Sequence, residues 1–189
     1  MLQPLGQKLY FQLCRIKSKW QPPHYINIGK ELQQARHILL CLPSDSQGHQ
    51  YAQGQLSEFR KIFRDARLTI LHDARHTIQN IPRLCHVISY GEQEFNAFGL
   101  PKKAVLNSIF DSKVDLFFDL NRHKNNHATL FACYSKAKLR IGFDHEHSHF
   151  YNFVIRFQAP QGWREAFSIL FKYVLGIQCR LEHVVAEDS

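Results

Sequence analysis

The sequence lacks the features that mark several common classes of protein. It contains no CxxC pair, and its five cysteines are scattered through mostly apolar stretches. This pattern favours buried, reduced thiols over a disulfide framework or a zinc site. It has no apolar run of membrane-spanning length and no secretory signal pattern at its N-terminus. These absences predict a cytoplasmic protein without disulfides. The five cysteines are Cys14, Cys41, Cys85, Cys133 and Cys179.

Motifs for cofactor and metal chemistry are missing as well. Neither GxGxxG nor GxxxxGK occurs, so the sequence has no glycine-rich phosphate-binding loop. The zinc signature HExxH is absent, because the string at residues 145–149 reads HEHSH. The sequence therefore predicts no cofactor.

Acidic residues are scarce where basic ones are frequent. The chain carries 24 Lys and Arg against 16 Asp and Glu, a formal charge of +8. Its first thirty residues contain no Asp or Glu at all, although five of them are Lys or Arg. This imbalance favours anionic partners such as phosphates, nucleic acid or an acidic membrane surface.

The N-terminal residues have the spacing of an amphipathic helix. Apolar residues recur every three or four positions from Leu2 to Trp20, and residues 21–23 (QPP) end the pattern. We predict an arm at 1–23 that binds a partner or lies peripherally on the inner face of the membrane. Alternatively, its leucines pack on the protein's own sheet. The predicted binding residues are Leu5, Lys8, Leu9, Leu13, Arg15, Ile16, Lys17, Lys19 and Trp20.

After a predicted tether at 24–35, apolar runs of strand length alternate with helical patterns. Strands are predicted at 37–42, 67–71, 85–89, 115–120, 139–143 and 153–157. Helices are predicted at 51–64, 101–110, 126–134 and 163–175, the third with Asn126 as its N-cap and the last ended by Gly176. The fold class predicted for 36–189 is α/β, a Rossmann-like three-layer domain with a mostly parallel twisted sheet that ends in a C-terminal helix and short tail.

Ligands of such sheets bind beyond the carboxyl ends of the strands, which directs attention to five loops. The first, PSDSQGHQ at 43–50, contains Asp45 and His49, which together are the candidate catalytic base. The alternative is that Ser and Asp cap the next helix. The other loops are 72–77, 90–96, 121–127 and 144–149.

Two of these loops carry further candidate residues. In the loop NRHKNNH, four basic or imidazole side chains precede a helix N-terminus and predict an anion site; the alternative is a solvated polar loop. In DHEHSH, alternating histidines on an extended segment would point the same way and form a weak metal candidate; the alternative is a surface loop. The anion candidates are Arg122, His123, Lys124 and His127, and the metal candidates are His145, His147 and His149.

Two segments resemble a known family. The runs VDLFFDLN (114–121) and SKAKLRIGFD (135–144) are similar to the N-terminal Rossmann-like domain of the family 9 glycosyltransferases, the group that contains the lipopolysaccharide heptosyltransferases. EFNAFGLPK (94–102) and FYNFVI (150–155) also look like an uncharacterised bacterial family known mainly from Bacteroidota, which is closer in length and spacing. The resemblance implies a fold rather than an activity.

The resemblance also implies which features of the glycosyltransferases we expect this chain to lack. The glycosyltransferases hold the sugar nucleotide chiefly in a second, C-terminal domain, for which we expect no counterpart before the end at Ser189. Their first loop ends in a Gly-Asp pair that this chain lacks, and Asp45 is the one aspartate that stands in for it. Our leading hypothesis is a non-catalytic binding or assembly module in a larger protein complex. The alternatives are the acceptor half of a glycosyltransferase completed by another polypeptide, and a nucleic-acid or ribosome-associated protein.

Overall fold

A computed structural model describes residues 3–20, 26–156 and 162–187. Side chains are described for residues 6–14, 26–156, 162–174 and 176. Of the predicted arm residues, the side chains of Leu5, Arg15, Ile16, Lys17, Lys19 and Trp20 lie outside this set.

The centre of the protein is a six-stranded sheet in which every pairing is parallel, in the order β3-β2-β1-β4-β5-β6. This arrangement confirms the predicted Rossmann-like α/β fold. The observed strands differ from the predicted ones only at their ends. Phe157, the last residue of the predicted sixth strand, lies outside the described residues. The strands are β1 (His37–Cys41), β2 (Arg67–Asp73), β3 (Cys85–Tyr90), β4 (Leu116–Asp119), β5 (Leu139–Phe143) and β6 (Phe153–Ile155).

Seven described helices cover the sheet on both sides. We call the side covered by α2, α3, α4 and α7 the first face, and the side covered by α1, α5 and α6 the second face. Short 3-10 turns lie at Glu92–Glu94 and Ser148–Phe150. The helices are α1 (Gln3–Trp20), α2 (Ile28–Gln34), α3 (Ser46–Gly54), α4 (Leu56–Ile62), α5 (Lys103–Ile109), α6 (Asn126–Ser135) and α7 (Trp163–Glu187).

The alternation of side chains along the central strands divides the core in two. Ile38 and Leu40 of β1 enter the core of the first face, while Leu39 and Cys41 enter that of the second. All four are fully buried. Strands covered on both sides need apolar residues at every position, which explains the near-continuous runs in the sequence.

The helix predicted at 51–64 is wrong at its start and in its continuity. It begins at Ser46, because Asp45 caps α3 by accepting a hydrogen bond from the Gly48 amide at 2.7 Å. It then breaks at Gln55, where α4 begins anew. The polar residues 46–50, predicted as loop, therefore form the first turn of a capped helix.

Three smaller expectations also differ from the structure. Asn125, rather than Asn126, caps α6 by accepting from the Ala128 amide at 3.1 Å. Gly176 does not end α7, which continues to Glu187, because a glycine inside a helix costs only about 1 kcal/mol. The predicted tether contains α2, whose Leu32 is buried in the core of the first face.

Candidate functional site

The carboxyl ends of the strands meet at one edge of the sheet, where β1 and β4 lie side by side. The chain runs outward from β1 to β3 and then returns to β4, from which it runs outward in the other direction. The loops after β1 and β4 therefore leave in opposite directions. In open α/β sheets this divergence creates the ligand-binding crevice.

In this protein the side chain of Asn121 bridges that crevice. Its Oδ1 accepts hydrogen bonds from the Ser44 amide, 3.0 Å away in the loop after β1, and from Nδ2 of Asn125 at 3.1 Å. Its Nδ2 donates to Oδ1 of Asp119 at 2.7 Å. Asn121 is 3% exposed, so this network closes the crevice from within.

Asp119 lies beneath Asn121 and is also committed to internal contacts. The Tyr151 hydroxyl donates to its Oδ2, and the Asn121 amide donates to its Oδ1 at 2.9 Å. Burial raises the pKa of the Asp119 carboxyl despite these hydrogen bonds, and burial together with Asp119 raises the pKa of Tyr151. Asp119 is therefore a buried structural carboxyl covered by Tyr151.

Beside this network, three histidines gather at the ends of β1 and β2. The ring of His49 in α3 stacks on that of His76 with centroids 4.7 Å apart, and lies 5.8 Å from that of His72. His76 Nε2 donates to the Ser44 carbonyl at 2.8 Å, and His72 Nε2 lies 2.9 Å from Ser89 Oγ. We call His49, His72 and His76 the histidine cluster.

Burial determines the charge of this cluster. Burial first, and then the imidazoles of His76 and His72, lower the pKa of His49 to about 4. Burial also lowers the pKa of His72. Nε2 of His49 and Nδ1 of His72 are buried and have no hydrogen-bond partner among the described residues. Within the cluster, His49 and His72 are thus uncharged imidazoles at neutral pH.

A carboxylate with its own partner lies next to the cluster. Burial alone would raise the pKa of Asp73, but the hydrogen bonds and charge of Arg75 outweigh burial and hold that pKa below its usual range. Arg75 Nη2 reaches Asp73 Oδ2 at 2.6 Å. Asp73 is therefore an anion already neutralised by Arg75.

The structure places the predicted catalytic pair on neighbouring turns without joining them. The described hydrogen bonds of the Asp45 side chain go to the backbone of α3, while His49 packs into the histidine cluster. Asp45 thus has the capping role considered as the alternative. His72 and His76 were missed as individual residues, although the loop 72–77 was singled out by its position at a strand end.

The four predicted anion-binding residues point in different directions. Arg122 lies over the Trp163 ring, 5.4 Å from its centroid, and Lys124 pairs with Glu146 at 3.0 Å. His127 stacks on Phe95 at 4.0 Å between centroids, and burial lowers its pKa. His123 is exposed. No common pocket brings these four side chains together in the described part of the chain.

The metal candidates lie on a turn and a 3-10 helix rather than on an extended segment. The ring centroids of His145 and His147 are 6.5 Å apart, and those of His147 and His149 are 6.3 Å apart. His147 Nδ1 lies 3.2 Å from Thr129 Oγ1. Within the described ranges, no group of three or more His, Cys, Asp or Glu side chains is arranged to hold a metal ion.

Helix α1 docks on the second face through a stripe other than its leucines. Gln7 Nε2 donates to the Gly99 carbonyl at 2.9 Å, and Gln7 Oε1 accepts from Asn126 at 3.0 Å. Tyr10 stacks on Tyr134, and Phe11 contacts His147 and Phe150. We call Gly6, Gln7, Tyr10, Phe11 and Cys14 the docked stripe.

The leucines of α1 lie on its other side. Leu9 is 54% exposed and Leu13 is 57% exposed, and Lys8 and Gln12, each directly before one of these leucines, are also exposed. We call Lys8, Leu9, Gln12 and Leu13 the outer stripe. The alternative in which the leucines pack on the protein's own sheet is thus wrong for Leu9 and Leu13.

An open groove of about 580 Å³ runs between α3 and the start of α7. Gly48 allows this approach, since a Cβ there would overlap the ring of Trp163. Sequence reasoning missed this groove, although its α3 residues recur at helical spacing. The groove residues of α3 are Gln47, Gln50, Tyr51 and Gly54, and Gln55 follows at the end of the helix.

Comparison with known proteins identifies the family. The model of a family of unknown function (DUF6913) matches residues 80–175, half of the chain. The chain belongs to this family. The description of this family carries no activity. No curated protein matches this member.

A solved structure resembles this DUF6913 member in fold. It is the glycosyl transferase family 9 protein from Veillonella parvula DSM 2008, with a TM-score of 0.53 and 17% sequence identity. The match covers 76% of this chain and 41% of that protein, so the chain spans less than half of the glycosyl transferase. The similarity confirms a glycosyltransferase-like fold. Among the described helices, none is long and apolar enough to cross a membrane.

Proposed function

We propose that this protein is a non-catalytic binding or assembly module that joins a larger assembly through its basic surface and the outer stripe of α1. The observation that carries the proposal is that α1 is docked by one side while Leu9 and Leu13 on the other remain more than half exposed. A helix fixed on its own domain gains nothing from exposed leucines. Neighbouring exposed apolar side chains on a fixed element mark an interaction surface.

The carboxyl edge supports the non-catalytic part of the proposal. Asn121 occupies the crevice where a Rossmann-like sheet binds its ligand, and its hydrogen bonds are used internally. Asp119 is covered by Tyr151, and Asp45 caps α3. A catalytic carboxylate must reach its substrate. Asp119 cannot do so without rearrangement of the edge, and the exposed Asp45 uses its carboxylate to cap α3.

Site-specific photo-crosslinking in the native cell tests the proposal. A photoreactive residue replaces Leu9 or Leu13 in the full chain, and the control replaces Leu84, which is 84% exposed but lies far from α1 in sequence, just before β3. We expect defined adducts from positions 9 and 13 and none of the same mass from position 84. Identical adduct patterns from all three positions would contradict the proposal, as would transfer of sugar from a nucleotide donor by the isolated chain.

A second candidate is the acceptor half of a glycosyltransferase completed by another polypeptide. The similarity to 41% of a family 9 glycosyl transferase favours it. This function requires the carboxyl edge to open. We therefore expect Asn121→Ala, which removes the bridge that closes the crevice, to leave the first candidate's crosslinks unchanged but to raise the rate of sugar transfer by the completed enzyme, measured with purified partner and labelled nucleotide sugar.

A further inference from the structure

The outer stripe of α1 faces away from the domain on a fixed helix. Gln7, Tyr10 and Phe11 hold the opposite side of α1 to the second face by hydrogen bonds and ring contacts. Leu9 and Leu13 are one helical turn apart and are 54% and 57% exposed. Their side chains form a short apolar ridge along the length of the helix.

A third exposed apolar side chain adjoins this ridge. Phe98 is 52% exposed, and its Cβ would lie 2.6 Å from a Cβ placed on Gly6. Gly6 is one turn before Leu9 in α1. The apolar surface therefore extends from the helix onto the turn at 96–99, and it is carried by two separate elements.

The charged residues of helix α1 have one sign. Helix α1 contains no acidic residue, and none occurs in the sequence before Glu31. Lys8, beside Leu9, is exposed and forms no ion pair with a described residue. The sequence continues the same composition at Arg15, Lys17 and Lys19. A leucine ridge on a helix whose charged residues are all cations matches a surface that is apolar beneath and anionic on top.

Lipid fits this composition better than protein does. The cores of protein interfaces are depleted in lysine and need a well-packed desolvated patch. Helices that lie in the membrane interface instead combine a row of leucine or phenylalanine with lysine and arginine on the polar side, and they bind more tightly to anionic lipids. A helix that binds in the membrane interface lies parallel to the membrane. Because α1 is docked lengthwise on the second face, its outer stripe can lie along a membrane in this way.

We infer that the outer stripe of α1, together with Phe98, binds the surface of a bilayer rich in acidic lipids. The inference rests on the proposed function, since it identifies the surface that the module meets. Leu9, Leu13 and Phe98 enter the boundary between headgroups and acyl chains, and Lys8 remains at the lipid phosphates. The domain then sits on the membrane by its second face.

Sedimentation of the full chain with vesicles tests the inference. The probes are vesicles of phosphatidylcholine alone and vesicles that also contain phosphatidylserine. We expect binding to the acidic vesicles that weakens as salt is added, because lysine attraction to a charged surface is screened within about 8–10 Å at moderate ionic strength. Absent binding, or equal binding to both kinds of vesicle, would overturn the inference.

Matched variants locate the contact. The double variant Leu9→Ser with Leu13→Ser changes side chains already exposed to water, so the fold is retained, and we expect vesicle affinity to fall roughly tenfold or more. Leu84→Ser, which removes an exposed leucine elsewhere, is the control and keeps full affinity. Retained binding by the double variant would overturn the inference.

The inference and the proposed function fail separately. If crosslinks from positions 9 and 13 reach a protein while acidic vesicles are not bound, the lipid inference is overturned and the assembly module stands. If neither crosslinks nor vesicle binding are found, both are overturned. Crosslinks to lipid from positions 9 and 13, together with vesicle binding that the double variant loses, support the lipid inference and the outer stripe as the binding surface.

Discussion

The two faces of the sheet are covered in different ways. On the first face, α2, α3, α4 and α7 contribute buried apolar side chains to one continuous core. On the second face, α5 and α6 do the same, but α1 is held by a glutamine, two aromatic rings, a glycine and a cysteine. The first face is therefore part of the folding unit, while α1 is attached to a unit that is mostly formed without it.

Truncating one aromatic residue on each side gives the largest expected contrast. Phe118 is fully buried between Phe59 and Phe63 on the first face, and Phe118→Ala is expected to lower the free energy of unfolding by about 3–5 kcal/mol. Phe11→Ala on α1 is expected to cost only about 1–2 kcal/mol, because Phe11 is half-buried. Urea denaturation measures both; equal losses would contradict the division between the faces.

Two glycines that pack closely against a neighbouring element, one on each face, allow a second comparison of the faces. An added Cβ at Gly48 would overlap the Trp163 ring in the first face, so we expect Gly48→Ala to lower the free energy of unfolding by about 1–3 kcal/mol. An added Cβ at Gly6 would overlap the Phe98 carbonyl, and Gly6→Ala is expected to loosen α1 alone. Hydrogen exchange of α1 amides distinguishes this local effect from global unfolding.

The control for both variants is Gly54→Ala, since no atom lies within 4 Å of a Cβ at that position. We expect it to leave stability unchanged or to raise it slightly, because alanine favours the helix. If Gly6→Ala destabilised the whole protein as much as Gly48→Ala, α1 would belong to the folding unit.

Acid is expected to act on both faces, and one histidine on each face has a pKa lowered to about 4. Burial lowers the pKa of His49 on the first face and of His147 beneath Phe11 on the second to about 4. An unfolded histidine has a pKa near 6.5 and therefore takes up protons first as the pH falls. The stability from each uncharged ring is full above pH 6.5 and falls by about 1–3 kcal/mol as the pH drops towards 4.

Denaturation at a series of pH values measures this loss, with His49→Gln, His147→Gln and the exposed His123→Gln as control. We expect the first two variants to flatten the profile and the control to follow the wild type. Hydrogen exchange is expected to show α1 losing protection at a higher pH than the sheet, since His147 contacts it directly. Loss of protection everywhere at one pH would contradict the separate attachment of α1.

Much of the fold was predictable because buried parallel strands leave a strong pattern. Residues 38–42 and 116–118 are apolar at every position, and the helical stripe of Phe167 and Leu170 is equally clear. The start of α3 was not predictable in this way, because residues 46–50 lack an apolar pattern. They form the first turn of a helix that Asp45 caps.

The site was less predictable than the fold. Loop positions at strand ends could be identified from the order of elements, but the bridge made by Asn121 depends on where Ser44 arrives from a distant part of the chain. Helical periodicity in α1 likewise reveals two stripes without indicating which is buried. Tyr10 and Phe11 pack inward because the second face offers rings to receive them, and this leaves Leu9 exposed.

The seam between β1 and β4 has a consequence for the order of folding. Neighbouring strands within each half of the sheet are close in sequence, but Ile38 of β1 pairs with Leu116 of β4, 78 residues later in the chain. The entropy lost on closing a loop grows with its length, and contacts between distant residues slow folding. We expect the strand pairs within each half to form early and the pairing of β1 with β4 to form last. The hydrogen bond between Asn121 and the Ser44 amide then connects the two halves.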